Sequence, residues 1–344
     1  MKYIDKVSKL IKDYYKILSP DYPEWLDEYI ETDRMLKQQY INAACGKIYS
    51  KLFDYNNYSS LDHSIGVALV IWNFTHDKKQ TISGLLHDIA TPAFQHCIDF
   101  LNGDYMNQES TEELTKDIIE DSKDIMKLLE RDNIKLEEVC DYHIYPVADN
   151  KTPMLSADRL EYSLSNGLIV FKLNTLDEIK EIYNDIEIQT NENGEIELGF
   201  KTKKIARQFV KNTSKLSIQY RDDATRFYMQ AIADILKKVS EEGLITKKDL
   251  YELKDIEVID IIKKSKYADA FETLINAEKV NVSKEKPKDV YFVKHGAKIR
   301  YIDPLFNGKR MSQECKIAKK MIDKNLSYNM DSYVFIDNSL NSII

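Results

Sequence analysis

Apolar residues recur at three- and four-residue intervals through most of the first half of the chain, the period of a helix with one buried face. The pattern predicts helices over 3–18, 33–54, 61–75, 80–90, 93–101, 109–130, 135–144 and 154–166. Pro20 and Pro23 punctuate the first gap, and Gly103 a later one. The period then changes. IEIQTNENGEIELGF alternates on both sides of Asn193-Gly194, and Asn-Gly between alternating runs is the strongest short-range hairpin signal. A long helix is predicted over 204–242, closing at Gly243. From about 285 the texture changes again. DVYFVKHGAKIRYIDPL reads as two strands turning at His295-Gly296, followed by a helix near 311–326 and a short strand in SYVFID. The lysine-rich SKEKPKD just before this tail reads as a solvated loop and a boundary. The expected fold is mainly α: a helical bundle over 1–245, with a β-hairpin insertion at about 185–200 and an α+β appendage over 246–344.

Composition narrows the function classes. With 344 residues, 43% of them hydrophobic, the chain can bury a large core. Its net charge of -8 predicts no general attraction to nucleic acid or anionic lipid. Cys45, Cys97, Cys140 and Cys315 are widely spaced and form no CxxC pair, so neither a disulfide framework nor a structural zinc site is expected. No stretch approaches the roughly 18 consecutive apolar residues of a membrane span, and the N-terminus lacks the apolar run of a signal peptide. A soluble, cytoplasmic protein is expected.

The segment LDHSIGVALVIWNFTHDKKQTISGLLHDIATPAFQH carries candidate chemistry. His63 opens one predicted helix and the chain returns along a second, marked by Ile82, Leu85, Leu86 and Ile89. At about 1.5 Å per residue the two rise and descend by similar amounts, so a short turn brings His87 and Asp88 back to the level of His63. Two imidazoles and a carboxylate at one end of a helix pair suit a hard or borderline divalent cation with open positions. Such an ion polarises a phosphoryl group and lowers the pKa of its bound water. Asp158, among the small and apolar positions of PMLSADRLEYSLSNG, is the candidate fourth ligand. On spacing alone it is equally a helix cap or a surface carboxylate.

The H…HD…D arrangement of His63, His87-Asp88 and Asp158 resembles the HD superfamily of metal-dependent phosphohydrolases. HSIGVALVIW…GLLHDIATPAFQHCIDF is similar to the branch containing the deoxynucleoside triphosphate triphosphohydrolases, whose patterns are HSLGV and HDxGHGPFSHxFD. The similarity covers roughly 60–166, the metal-site segment, and extends more loosely through SIQYRDDATRFYMQAIADIL. It implies that His63, His87, Asp88 and Asp158 hold one divalent ion (Mn, Ni, Fe, Co, Zn or Mg). It implies hydrolysis of a nucleotide or other small phosphoester by metal-bound hydroxide, and assembly into a homo-oligomer. DRLEYSLSN resembles the family's DKxDYxxRD segment, which implies that Arg159 and Tyr162 contact the substrate. His96 matches the second histidine of HGPFSH and by resemblance faces substrate phosphates; read alone it is as well a helix histidine bonded to a carbonyl. Arg221 and Arg226 lie five apart on the predicted long helix and are either further anion contacts or helix surface charges.

Departures from the pattern bear on the reaction. Thr91 stands where HGPFSH begins with histidine, and Ser60 where an arginine often precedes HSLGV by three residues. Gln108-Glu109 occupies the place of a His-Glu pair, and glutamine transfers no proton near neutral pH; Glu109 remains available to orient the attacking water. His96 and His143 lie between the HD pair and Asp158, the interval that supplies second-metal ligands in some HD enzymes. His143, in DYHIYP, is otherwise a structural histidine flanked by tyrosines. His76 and His295 sit in expected turns. Two alternatives therefore stand beside the phosphohydrolase: a two-metal phosphodiesterase or nuclease, and a non-catalytic module that binds a nucleotide.

Overall fold

A computed structural model describes residues 1–106, 114–337, 340 and 343. The architecture is mainly α, with two small sheets. Among the described residues no helix is long and apolar enough to cross a membrane.

The centre is the helix pair Ser60–Thr75 and Lys78–Leu86. Ser59 caps the first helix by accepting from Asp62 N, while the Asp62 carboxylate accepts from Ser59 N. This reciprocal capping box satisfies two of the first turn's orphan donors and fixes where His63 stands. Asp77 caps the second helix by accepting from the N–H groups of Lys79 and Gln80. The close approach of the pair depends on Gly84, where a Cβ would collide with Ile71. The Ala157–Ser165 helix packs against the first of the pair and runs directly into a single π-helical turn, Asn166–Val170.

The hairpin forms where Asn193-Gly194 predicts it: Ile186–Thr190 pairs antiparallel with Ile196–Phe200, and Gly194 takes the positive φ the turn requires. The tail joins it, since Leu305–Phe306 adds to Ile196–Phe200 in parallel and Lys309–Arg310 completes the sheet. A second sheet orders Asn281–Ser283, Tyr333–Phe335 and Phe292–Val293, all antiparallel. Two buried clusters result. The larger includes Leu61, Leu85 and Leu160 with Ile302 and Ala318 of the tail. The smaller includes Phe94 and Cys97 with Phe227, Ile262 and Val334. Both therefore draw residues from either side of position 245.

Several predicted elements are corrected. The 3–18 helix is interrupted at Val7 and Ser8, where Ser8 caps Lys9–Leu18. The 33–54 helix ends at Lys37 and gives way to single turns at Gln38–Tyr40 and Lys47–Tyr49. There the backbone bonds outward, Asn42 N donating to Asp255 and Ala43 N to Tyr58 O. The 93–101 and 135–144 predictions shrink to Cys97–Leu101 and two short turns. The 204–242 helix is two, Lys203–Gln219 and Asp223–Glu241, because Asp222 accepts from Thr225 N and starts a new helix. No hairpin turns at His295-Gly296: Phe292–Val293 pairs with Tyr333–Phe335, and 294–304 runs on without strand pairing. Three helices between the long helix and the tail, Lys247–Glu252, Asp255–Lys264 and Ala268–Asn276, went unpredicted.

Candidate metal centre and its cavity

Helix ends deliver the donors. His63 sits in the first turn of its helix, His87 caps the end of the next, and Asp158 occupies the first turn after Ser156, whose hydroxyl accepts from Arg159 N. The His63 and His87 rings meet edge to face with centroids 5.2 Å apart. His63, His87 and Asp88 each present a donor atom within 4.8 Å of the others. Asp158 Oδ1 lies 3.1 Å from His63 Nε2 and 3.9 Å from His87 Nε2, while Asp88 Oδ2 lies 3.6 Å from His87 Nε2 and 3.9 Å from His63 Nε2.

The other ring nitrogens are already engaged. His87 Nδ1–H donates to Gly84 O at 2.8 Å, and His63 Nδ1–H to Glu161 Oε2 at 2.5 Å. Both Nε2 atoms are thereby aimed at the shared space, the orientation a metal-binding imidazole needs. Glu161 is fully buried and also accepts from the hydroxyls of Tyr14, Tyr58 and Ser165, so its charge is compensated from several sides. Its room exists because residue 66 is glycine: a Cβ there would stand 2.6 Å from Glu161 Oε1. Burial opposes charge on His63, but Glu161 and Asp158 outweigh it and hold the imidazole pKa well above its ordinary value. Burial likewise opposes charge on Asp158, yet the hydrogen bond and charge of His63, with His87 and Arg159 behind, keep its carboxyl below the usual range. Two oriented imidazoles and two carboxylates are a donor set that fits a divalent cation, which replaces protons on binding.

The donors line a cavity of about 180 Å³. Its walls are aromatic (Tyr58, Tyr142, Tyr162, Phe171, Tyr220) and cationic (Lys47, Lys298, Arg300), with His96 and Gln95 between. His96 and Tyr162 thus stand at the site. Three expected contacts do not. Arg159 points to Asn150 Oδ1 at 2.6 Å and Asp149 Oδ1 at 3.3 Å. Arg221 is buried and donates to Ser217 O and to the backbone and side chain of Asn325. Arg226 is buried and donates to His295 O and Asp223. Fully buried and bonded through both terminal nitrogens to protein acceptors, Arg221 and Arg226 are structural cations rather than surface charges or cavity walls. His143 is half exposed and lies outside the cavity lining, with Nδ1 2.9 Å from Asp141 and Nε2 3.4 Å from Asp149. Gln108 and Glu109 fall outside the described residues.

Residues absent from the sequence reading complete the site. Glu161 had a signal: positions 158, 161, 162 and 165 share one helical face. Lys298 and Arg300 had a weaker one, since alternate residues of an extended chain point the same way. Lys47 had none.

No family model matches the chain. Over 111 residues, 31% of the chain, it is 32% identical to the uncharacterized protein YdhJ of Bacillus subtilis (strain 168), and the match spans 33% of that protein's length. In structure it is similar to a phosphohydrolase, BT4208, from Bacteroides thetaiotaomicron, with a TM-score of 0.56 and 14% identity over 93% of this chain and 94% of that one. A hypothetical protein from Aquifex aeolicus is similar with a TM-score of 0.55 and 14% identity over 92% and 93% of the two chains. At this identity the likeness establishes a shared fold.

Proposed function

We propose that the chain is a metal-dependent phosphohydrolase of the HD type, acting on a nucleotide or other small phosphoester. One observation carries the reading: His63, His87, Asp88 and Asp158 converge in a cavity that Lys47, Lys298 and Arg300 also line. The solved fold-mate named a phosphohydrolase supports it. In this reading those four residues hold one divalent cation, which when bound supplies charge to a phosphoryl oxygen and acidifies a water.

The chain's own groups do the rest. Glu161 and Gly84 O keep both imidazoles in the tautomer that leaves Nε2 as a lone-pair donor. The cationic wall neutralises phosphate oxygens as they enter, and the aromatic wall restricts water around the reacting group. Tyr162 and Tyr220, ring centroids 6.2 Å apart, offer apolar faces on which a base or another planar group can lie. The resemblance to the deoxynucleoside triphosphate triphosphohydrolases makes nucleoside triphosphates the first substrates to assay. The departure at Gln108 makes monophosphates and generic phosphoesters the second.

The test is a substrate panel of nucleoside tri-, di- and monophosphates and p-nitrophenyl phosphate, run with Mn²⁺, Ni²⁺ or Mg²⁺ on wild type, His87→Ala and Asp88→Ala. Metal-dependent turnover in wild type, lost in both variants, is the expected outcome. Absence of turnover across the panel, with metal bound, would replace the enzyme reading with that of a nucleotide-binding module.

A further inference from the structure

The cations of the cavity wall come largely from the tail, and the tail is strapped there. Residues 294–304 run past the cavity without strand pairing, contributing Lys298 and Arg300 to its lining, and are pinned along their length. Buried Arg226 donates to His295 O, and the His295 ring packs on Phe100 and Tyr105 with centroids 5.2 and 4.8 Å away. Lys298 N donates to Tyr105 O at 3.1 Å, and Asp303 N to Pro153 O at 2.9 Å. Between these anchors Lys298 and Arg300 turn into the cavity, each half-buried.

His96 adds a second observation. Its Nδ1–H donates to Asp99 Oδ2 at 2.7 Å, and the Asp99 side chain is fully buried. That bond leaves a lone pair on Nε2, and Arg300 Nη2 lies 3.3 Å from it. Asp99, His96 and Arg300 therefore form a chain that orients the Arg300 guanidinium, a planar group whose geometry suits phosphate oxygens.

We infer that Lys298 and Arg300 bind an anionic phosphate group of the substrate, and that His96 is a positioning residue that aims Arg300. The tail is then part of the site. The assignment rests on the phosphohydrolase reading, and its test is separate from turnover. Methylenediphosphonate, a diphosphate analogue that resists hydrolysis, is titrated calorimetrically in excess Mg²⁺ into wild type, Lys298→Ala, Arg300→Ala, Arg300→Lys, His96→Ala and the His96→Ala/Arg300→Ala double variant. Lys319→Ala, in an exposed pair with Asp323, is the control. Loss of one charge-assisted contact weakens binding about 10-fold or more, so Lys298→Ala and Arg300→Ala each fall by at least that much. Arg300→Lys keeps the charge without the planar group and falls between, which also covers the case in which the alanine variant fails to fold. Once Arg300 is gone, His96→Ala adds nothing, a non-additivity that a purely structural histidine would not produce. Wild-type affinity in Arg300→Ala and Lys298→Ala, or no binding by metal-loaded wild type, overturns the inference while leaving the metal site standing. Absence of bound metal in wild type would instead sink the phosphohydrolase reading.

Discussion

Replacing Glu161 by glutamine changes one buried atom and should disable the centre from behind. In wild type the Glu161 carboxylate accepts from His63 Nδ1–H at 2.5 Å and from Tyr14 and Tyr58 hydroxyls at 3.1 and 2.7 Å. Glutamine has one oxygen. Turned toward the tyrosines, it keeps those two bonds on Oε1 and presents its NH₂ to His63. The imidazole then accepts at Nδ1 and carries its proton on Nε2, pointing it at the space shared with Asp88 and Asp158. Partners of this kind behind a metal-binding histidine are worth roughly 10- to 100-fold in metal affinity, or about 1.4–2.7 kcal/mol. Calorimetric titration of Mn²⁺ into wild type and Glu161→Gln measures the loss. Nitrogen NMR of labelled histidine, at a pH high enough to leave the imidazole neutral, reads the tautomer directly, and the proton is expected to move from Nδ1 to Nε2 of His63. Wild-type Mn²⁺ affinity in Glu161→Gln, or an unmoved proton, would refute the reasoning.

Three further outcomes follow from other parts of the molecule. Gly66→Ala places a methyl 2.6 Å from Glu161 Oε1, an overpacking that costs about 1–3 kcal/mol; denaturant unfolding should show that loss together with weakened Mn²⁺ binding, whereas unchanged stability would mean the contact yields freely. Arg221→Met removes the donor to buried Asn325 Oδ1 and should lower stability by about 1–3 kcal/mol while leaving KM unchanged for whichever substrate is turned over, and a raised KM would return Arg221 to the substrate site. Asp255, buried while accepting from Asn42 N and Phe94 N, has its carboxyl pushed up by burial to about 6. The native state thus holds that proton more tightly than the unfolded chain, so the contribution is full below about pH 4 and is lost as pH rises through about 6. Urea unfolding at several pH values should show a decline of up to about 3 kcal/mol across that window, flattened in Asp255→Asn; equal slopes in the two proteins would contradict it.

What was legible in the sequence depended on how local its cause is. The His63–His87 register follows from two helices, a short turn and a fixed rise per residue, and Asn193-Gly194 carries its turn geometry in its own backbone preferences. The break at Tyr220–Asp222 was concealed because the apolar period continues across it, while a single capping carboxylate stops it. Residues 38–50 keep a helical spacing of apolar positions, yet their backbone is claimed by Asp255 and Tyr58, far away in sequence. The first of the three unpredicted helices did carry a local sign, since Thr246 and Asp249 form a capping box. At the site, Asp158 rested on family resemblance, and the structure brings it to 3.1 Å of His63 Nε2. Arg159, in the matching segment, is turned away by Asp149 and Asn150, two partners that spacing could not reveal. The cavity's cations come from segments just over 250 residues apart, Lys47 and the 298–300 strap, and only the folded chain joins them.

The central claim is that His63, His87, Asp88 and Asp158 together hold a divalent cation. Elemental analysis of the purified protein, repeated on the four single alanine variants after equilibration with Mn²⁺, tests it most directly. One ion per chain in wild type, and its loss in each variant, is the predicted result; a wild type that takes up no ion, or variants that keep it, would contradict the account.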